Sequence, residues 1–153
     1  MGVSEQLTWL DSSLWDGKAF DGQWATALSS VRDVKEPATG QVLSRVGIAS
    51  AADMRAAIGR AQAAQPAWAA MGPRERSAVF HRAAALFQQH FGELAMTIAR
   101  ETGGIVPKGQ HEVNESITLC HLAAGLPMQA QGQILPSAAG RMSLARRVPH
   151  GVV

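Results

Sequence analysis

The sequence predicts a mixed α/β chain, α+β in what these 153 residues build for themselves, and three observations carry that expectation. Turn residues separate alternating apolar runs in the first third, amphipathic helical stripes fill the middle, and turn-bounded β-branched segments return at the end. The expected organisation is one unit over residues 1–153, with β-hairpins in 1–49, three or four helices in 50–131 and hairpin strands in 132–153.

Each element has a local reason. Asp16-Gly17 lies between apolar flanks in "LWDGKAF" and reads as a hairpin turn, and Pro37-Ala38-Thr39-Gly40 separates two alternating runs as a second. Ser50 with Asp53 three residues on forms a capping-box start, followed by the stripe Met54, Ile58, Ala61 and Trp68, with Pro66 set against the last turn. Gly72-Pro73 opens the next helix, whose face carries Phe80, Ala84, Phe87 and Phe91, a face that has to be buried. Gly92 is expected to bend this run before Leu94, Ile98 and Ala99 continue it, and Thr102-Gly103-Gly104 ends it. Pro107 starts a further helix with Val113, Ile117, Cys120 and Ala124 at core spacing. In the closing "RMSLARRVPHGVV", Pro149-His150-Gly151 reads as a turn entering a strand.

Charge and cysteine usage narrow the function classes. Fourteen Lys and Arg nearly balance twelve Asp and Glu, for a net charge of +2, so no nucleic-acid partner is expected. The last acidic residue is Glu115, which leaves a tail with Arg141, Arg146 and Arg147 as a solvated basic edge. A single cysteine, Cys120, forbids an intrachain disulfide and fits a reducing, cytoplasmic setting. No leader pattern opens the chain and no apolar run is long enough for a bilayer, so no membrane partner is expected.

Catalytic constellations are scarce. There is no G-x-G-x-x-G, P-loop or G-x-S-x-G, and no pair of closely spaced cysteines. Cys120 sits in an apolar stripe and reads as a small core residue rather than a nucleophile served by His121. "HEVNE" places His111 and Glu115 on one helical face, but Glu115 stands where a zinc-protease helix has its second histidine, so no metal site is expected. His81, His90 and His121 read as surface or partly buried structural histidines.

From Glu36 to Gly104, and more loosely over nearly the whole chain, the order of elements resembles the amino-terminal segment of the NAD(P)-dependent aldehyde dehydrogenase superfamily. The resemblance rests on the Pro37-x-Thr39-Gly40 turn, the Ala-rich helix ending in Trp68, "RERSAVFHRAAALF", the Glu101-Thr102-Gly103 stop and "HLAAGLPMQAQG". "WDGKAF", "ETGGIVPKG" and "LPSAAGRMSLARRVPHGVV" look most like benzaldehyde dehydrogenases, with vanillin- and salicylaldehyde-type enzymes close behind.

The resemblance implies an incomplete aldehyde dehydrogenase fold from an enzyme oxidising an aromatic aldehyde to its acid with NAD or NADP. In that family a cysteine thiolate attacks the aldehyde, hydride passes to the nicotinamide, and a glutamate-activated water releases the acid. Those groups are expected beyond Val153, so no catalytic, cofactor-binding or metal residue is carried onto this chain, and the chain alone is expected to be inactive. The resemblance also implies a homo-oligomer through the closing hairpin. It further implies that the helix after Pro107 borders the substrate tunnel near His111 and Glu115. The alternative expectation is a non-catalytic oligomerisation or interaction module, or a gene remnant.

Overall fold

The computed structural model describes residues 12–26 and 29–153. The first eleven residues, read above for a leader, lie outside the described residues. Among the described residues, three two-stranded antiparallel sheets flank a layer of helices.

The first reversal differs from expectation. Helix α1 (Ser12–Trp15) precedes β1 (Lys18–Phe20), and β1 pairs with β2 (Trp24–Thr26). Asp16-Gly17 therefore joins a helix to a strand, and the hairpin turns instead around Gly22, whose φ of +109° suits glycine. The local chemistry explains the exchange. The Lys18 ammonium donates to the Ser13 and Leu14 carbonyls at 3.2 and 2.9 Å, satisfying acceptors at the helix end. Phe20 and Trp24 then close the hairpin edge to face, with centroids 5.1 Å apart.

The second hairpin, β3 (Ser30–Lys35) with β4 (Val42–Ile48), forms as predicted. Thr39 and Gly40 amides donate to the Glu36 carbonyl, and Gly40 takes φ +74°. Three ion pairs tie the hairpins to their surroundings: Asp16 to Arg45, Asp21 to Arg60, and Glu36 to Arg100 at 2.9 Å.

Helix α2 (Ala51–Ala70) starts on the predicted capping box. Ser50 Oγ accepts from the Asp53 amide at 3.2 Å, and the Ser50 amide donates to the Asp53 carboxylate at 2.7 Å. The helix continues through Pro66, and Met71 closes it with bonds to the Ala67 and Trp68 carbonyls. Its expected apolar stripe is not buried: Met54, Ile58 and Trp68 are exposed, because no described element packs along this helix.

The packed centre is made by α3 (Pro73–Gln89), α4 (Phe91–Thr102) and α5 (Val106–Gly125), with a 3-10 turn, Leu126–Met128, folded back on α3. The break between α3 and α4 falls at His90, φ −104° and ψ 24°, which caps one helix and opens the next, and Gly92 lies in the following first turn. Small residues dominate the buried set, Ala84, Ala95, Ala99 and Ala124 with Val113, so the helices approach closely. Phe80, Phe87 and Phe91 are only half-buried, since their stripe has α5 on one side and no described cover on the other.

Gly103 ends α4 at φ +70°, and a Cβ there would stand 3.0 Å from Pro37 Cβ in the β3–β4 turn. Two demands for glycine coincide at this junction. Gly103→Ala is expected to lower stability by about 1–2 kcal/mol, read as a lower urea midpoint, from the left-handed backbone cost alone.

The same junction predicts a pH dependence. Hydrogen bonds from Thr39 and then Arg100 hold the Glu36 carboxyl below its ordinary value, and Arg45 does the same for Asp16. Carboxylates with depressed pKa values contribute stability in full above the ordinary carboxylate range and lose it as pH falls through the depressed values. Thermal midpoints measured through that acid range should fall less steeply in Glu36→Gln than in the parent chain.

The last described hairpin pairs β5 (Gly132–Leu135) with β6 (Ser143–Arg146). Every residue in it is exposed. Gly151 has the positive φ, +97°, expected of its turn, but Val152-Val153 forms no strand, because no described strand offers it a partner.

Candidate functional site

Helix α5 presents two faces. Gly109, Val113 and Ala124 are buried against α3 and α4, with Ile117 and Cys120 half-buried beside them. The other face carries His111, Glu115, Leu119 and Leu122, and Leu126 follows them at the helix end. At about 100° per residue these five fall within an arc of about 80°. All are exposed, the three leucines by 60%, 65% and 62%.

This stripe is the candidate site. Its polar end, His111 and Glu115 one turn apart, lies towards the helix amino terminus, and its apolar end lies towards the carboxyl terminus. Three adjacent leucines facing water forfeit apolar burial worth about 1.5–3 kcal/mol each, which is the signature of a face built to be covered.

The other sequence-predicted residues are placed elsewhere. Cys120 is a free, half-buried thiol on the packed side of α5. His121 turns away from it and meets His81 of α3, with Nδ1 to Nδ1 at 3.3 Å. Among the described residues no three His, Cys, Asp or Glu side chains gather as metal ligands, so His111 and Glu115 have no third partner. No helix is long and apolar enough to cross a membrane among the described residues.

Two shallow depressions lie on the surface of the described residues. One, of about 250 Å³, is lined by Ala83, Leu86, Phe87, His90 and Leu94, and one, of about 270 Å³, lies on the β5–β6 hairpin. Neither is entered by a strand, a glycine-rich turn and a helix amino terminus, the combination that presents amides to a pyrophosphate. Neither depression fits a dinucleotide cofactor.

The backbone nonetheless matches part of a larger α/β dehydrogenase. A crystal structure of an NAD-dependent benzaldehyde dehydrogenase from Corynebacterium glutamicum aligns with a TM-score of 0.76 and 29% identity, over 86% of this chain and 28% of that one. In sequence the chain is 46% identical over 147 residues to a vanillin dehydrogenase of an Amycolatopsis strain, covering 96% of this chain and 30% of that protein. It is 39% identical over 144 residues to a benzaldehyde dehydrogenase of Pseudomonas putida, covering 94% and 30%. Residues 24–153 match the aldehyde dehydrogenase family, and the chain belongs to it. It spans about 30% of the length of these curated relatives.

The sequence places His111 and Glu115 on one helical face, and the structure adds three exposed leucines that continue their stripe. Leu119, Leu122 and Leu126 stand at i, i+3 and i+7, a spacing open to view, but the stripe through Val113 and Ala124 claimed the core first. The contact between His81 and His121, 40 residues apart, had no sequence signal.

Proposed function

We propose that this chain is the amino-terminal part of an aldehyde dehydrogenase that oxidises an aromatic aldehyde to its carboxylic acid with NAD or NADP in the cytoplasm, and that the chain by itself is inactive. The observation that carries the reading is the bare stripe of α5 in a chain that spans 30% of its vanillin and benzaldehyde relatives. The leucines suit a wall along which an aromatic ring travels while water is excluded. His111 and Glu115 sit at the solvated mouth, where a carboxylate keeps its hydration. Residues 132–153 contribute to a subunit-joining sheet, a role supported by a hairpin with all its strand residues exposed and two unpaired edges.

The test is a chimera in which this chain replaces the matching segment of the Amycolatopsis vanillin dehydrogenase. The chimera should reduce NAD with vanillin or benzaldehyde, while the isolated chain should not. Turnover by the isolated chain, or a well-folded chimera without activity, overturns the reading. Within an active chimera, Glu115→Leu should change KM for an aromatic aldehyde several-fold and leave kcat near the parent value. An unchanged KM would remove Glu115 from the tunnel border.

A second reading, a non-catalytic interaction module, is favoured by the same unpaired hairpin. Size-exclusion chromatography of the isolated chain distinguishes it by a defined dimer or higher oligomer.

A further inference from the structure

The His81–His121 contact plays no part in the proposed function. His81 lies on the exposed side of α3 and His121 on the exposed side of α5, and their Nδ1 atoms are 3.3 Å apart, with rings tilted by 46° and centroids separated by 5.5 Å. In the free chain one Nδ1–H donates to the other Nδ1, which requires the two rings to hold opposite tautomers. Both rings reach solvent, so the pair is open to an ion.

The separation is informative. Two imidazole nitrogens bound to one tetrahedral zinc ion at about 2.0–2.1 Å stand about 3.3–3.4 Å from each other. The nitrogens of this pair already have that spacing, on two helices packed together. A modest rotation of each ring turns its lone pair from the other nitrogen towards a shared point on the solvent side. The donor ring then carries its hydrogen on Nε2 instead of Nδ1, so a neutral pair binds the ion without losing a proton.

We propose that His81 and His121 form a two-histidine site for a borderline divalent cation of the zinc and copper class, with water completing its coordination. Imidazole is a preferred ligand of these ions, and a surface site of two protein ligands is open rather than closed. Because the ligands come from α3 and α5, the ion pins together two of the three helices that make the packed centre, and binding raises stability by mass action.

The experiment is calorimetric titration of the untagged 153-residue chain at neutral pH with zinc, followed by thermal unfolding with and without zinc. One binding event per chain and a raised midpoint are expected. His81→Gln and His121→Gln should each weaken binding roughly a hundredfold by turning a chelate into a single ligand. His111→Gln and His150→Gln should leave binding unchanged. Retained affinity in either pair variant, or loss of affinity in Cys120→Ser, overturns the proposal. If a variant fails to fold, electron paramagnetic resonance of the parent chain with one equivalent of copper(II) decides: two coupled equatorial nitrogens support the site, and one refutes it.

Discussion

Gly109→Ala is expected to separate α4 from α5 and to give the largest stability loss of any single methyl addition at a described glycine of the helix layer. A Cβ at this position would lie 2.2 Å from the Ala95 carbonyl oxygen and 3.0 Å from its carbon. The obstacle is backbone inside a helix, so no side chain can swing away to make room. The helices have to part, and Ala95, Ala99 and Val113, all buried at this crossing, lose contact together. Overpacking of a tight core costs about 1–3 kcal/mol, and a backbone obstacle puts this site at the upper end. Against a total of about 5–15 kcal/mol for an ordinary domain, that is a large share.

The check is the urea midpoint followed by helical circular dichroism, with Gly59→Ala and Gly92→Ala as controls. A Cβ at either control position meets nothing within 4 Å. Both are helical, so alanine there should stabilise by up to about 1 kcal/mol through propensity. Three identical chemical changes should thus give one large loss and two small gains. A Gly109→Ala midpoint equal to the parent would show that α4 and α5 do not cross this closely.

Leu122→Asp should be nearly neutral in the isolated chain and severely damaging in the chimera proposed above. In the isolated chain the side chain is 65% exposed, so the substitution replaces wet apolar surface with a solvated charge and should leave the urea midpoint within about 0.5 kcal/mol. In the chimera, where the proposed remainder of the enzyme covers the outer face of α5, the carboxylate is buried without a partner. That costs several kcal/mol, enough to abolish soluble assembly or activity. Activity of the chimera and the stability of the isolated chain, measured on the same substitution, separate a covered face from a solvated one. If Leu122→Asp leaves the chimera fully active, the stripe of α5 faces water in the whole enzyme as well.

Much of the local structure was legible because its causes are local. The Ser50–Asp53 capping box, the Pro73 start, the Gly103 stop and the Pro37–Gly40 turn each depend on residues within a few positions of one another. Asp16-Gly17 misled because its partners are distant or unexpected: Arg45 takes the carboxylate from 29 residues away, and Lys18 caps the helix just behind. The α2 stripe was visible as a pattern, but a pattern states only that a face is apolar. It does not state whether a neighbour is present to cover it.

The candidate site divides along the same line. Composition and spacing alone determined the order of hairpins and helices, the absence of a dinucleotide fingerprint, and the placing of His111 and Glu115 on one helical face. These follow from turn chemistry and helical periodicity, which act over a handful of residues. The buried side of α5, through Val113 and Ala124, was legible as well. Only the tertiary structure decided how closely α4 and α5 cross, that Leu119, Leu122 and Leu126 extend the exposed stripe, and that His81 meets His121. Such outcomes depend on how closely helices can approach: α4 meets α5 where Gly109 faces a carbonyl 14 residues earlier in the chain, and α3 meets α5 where residues 40 apart in sequence come together.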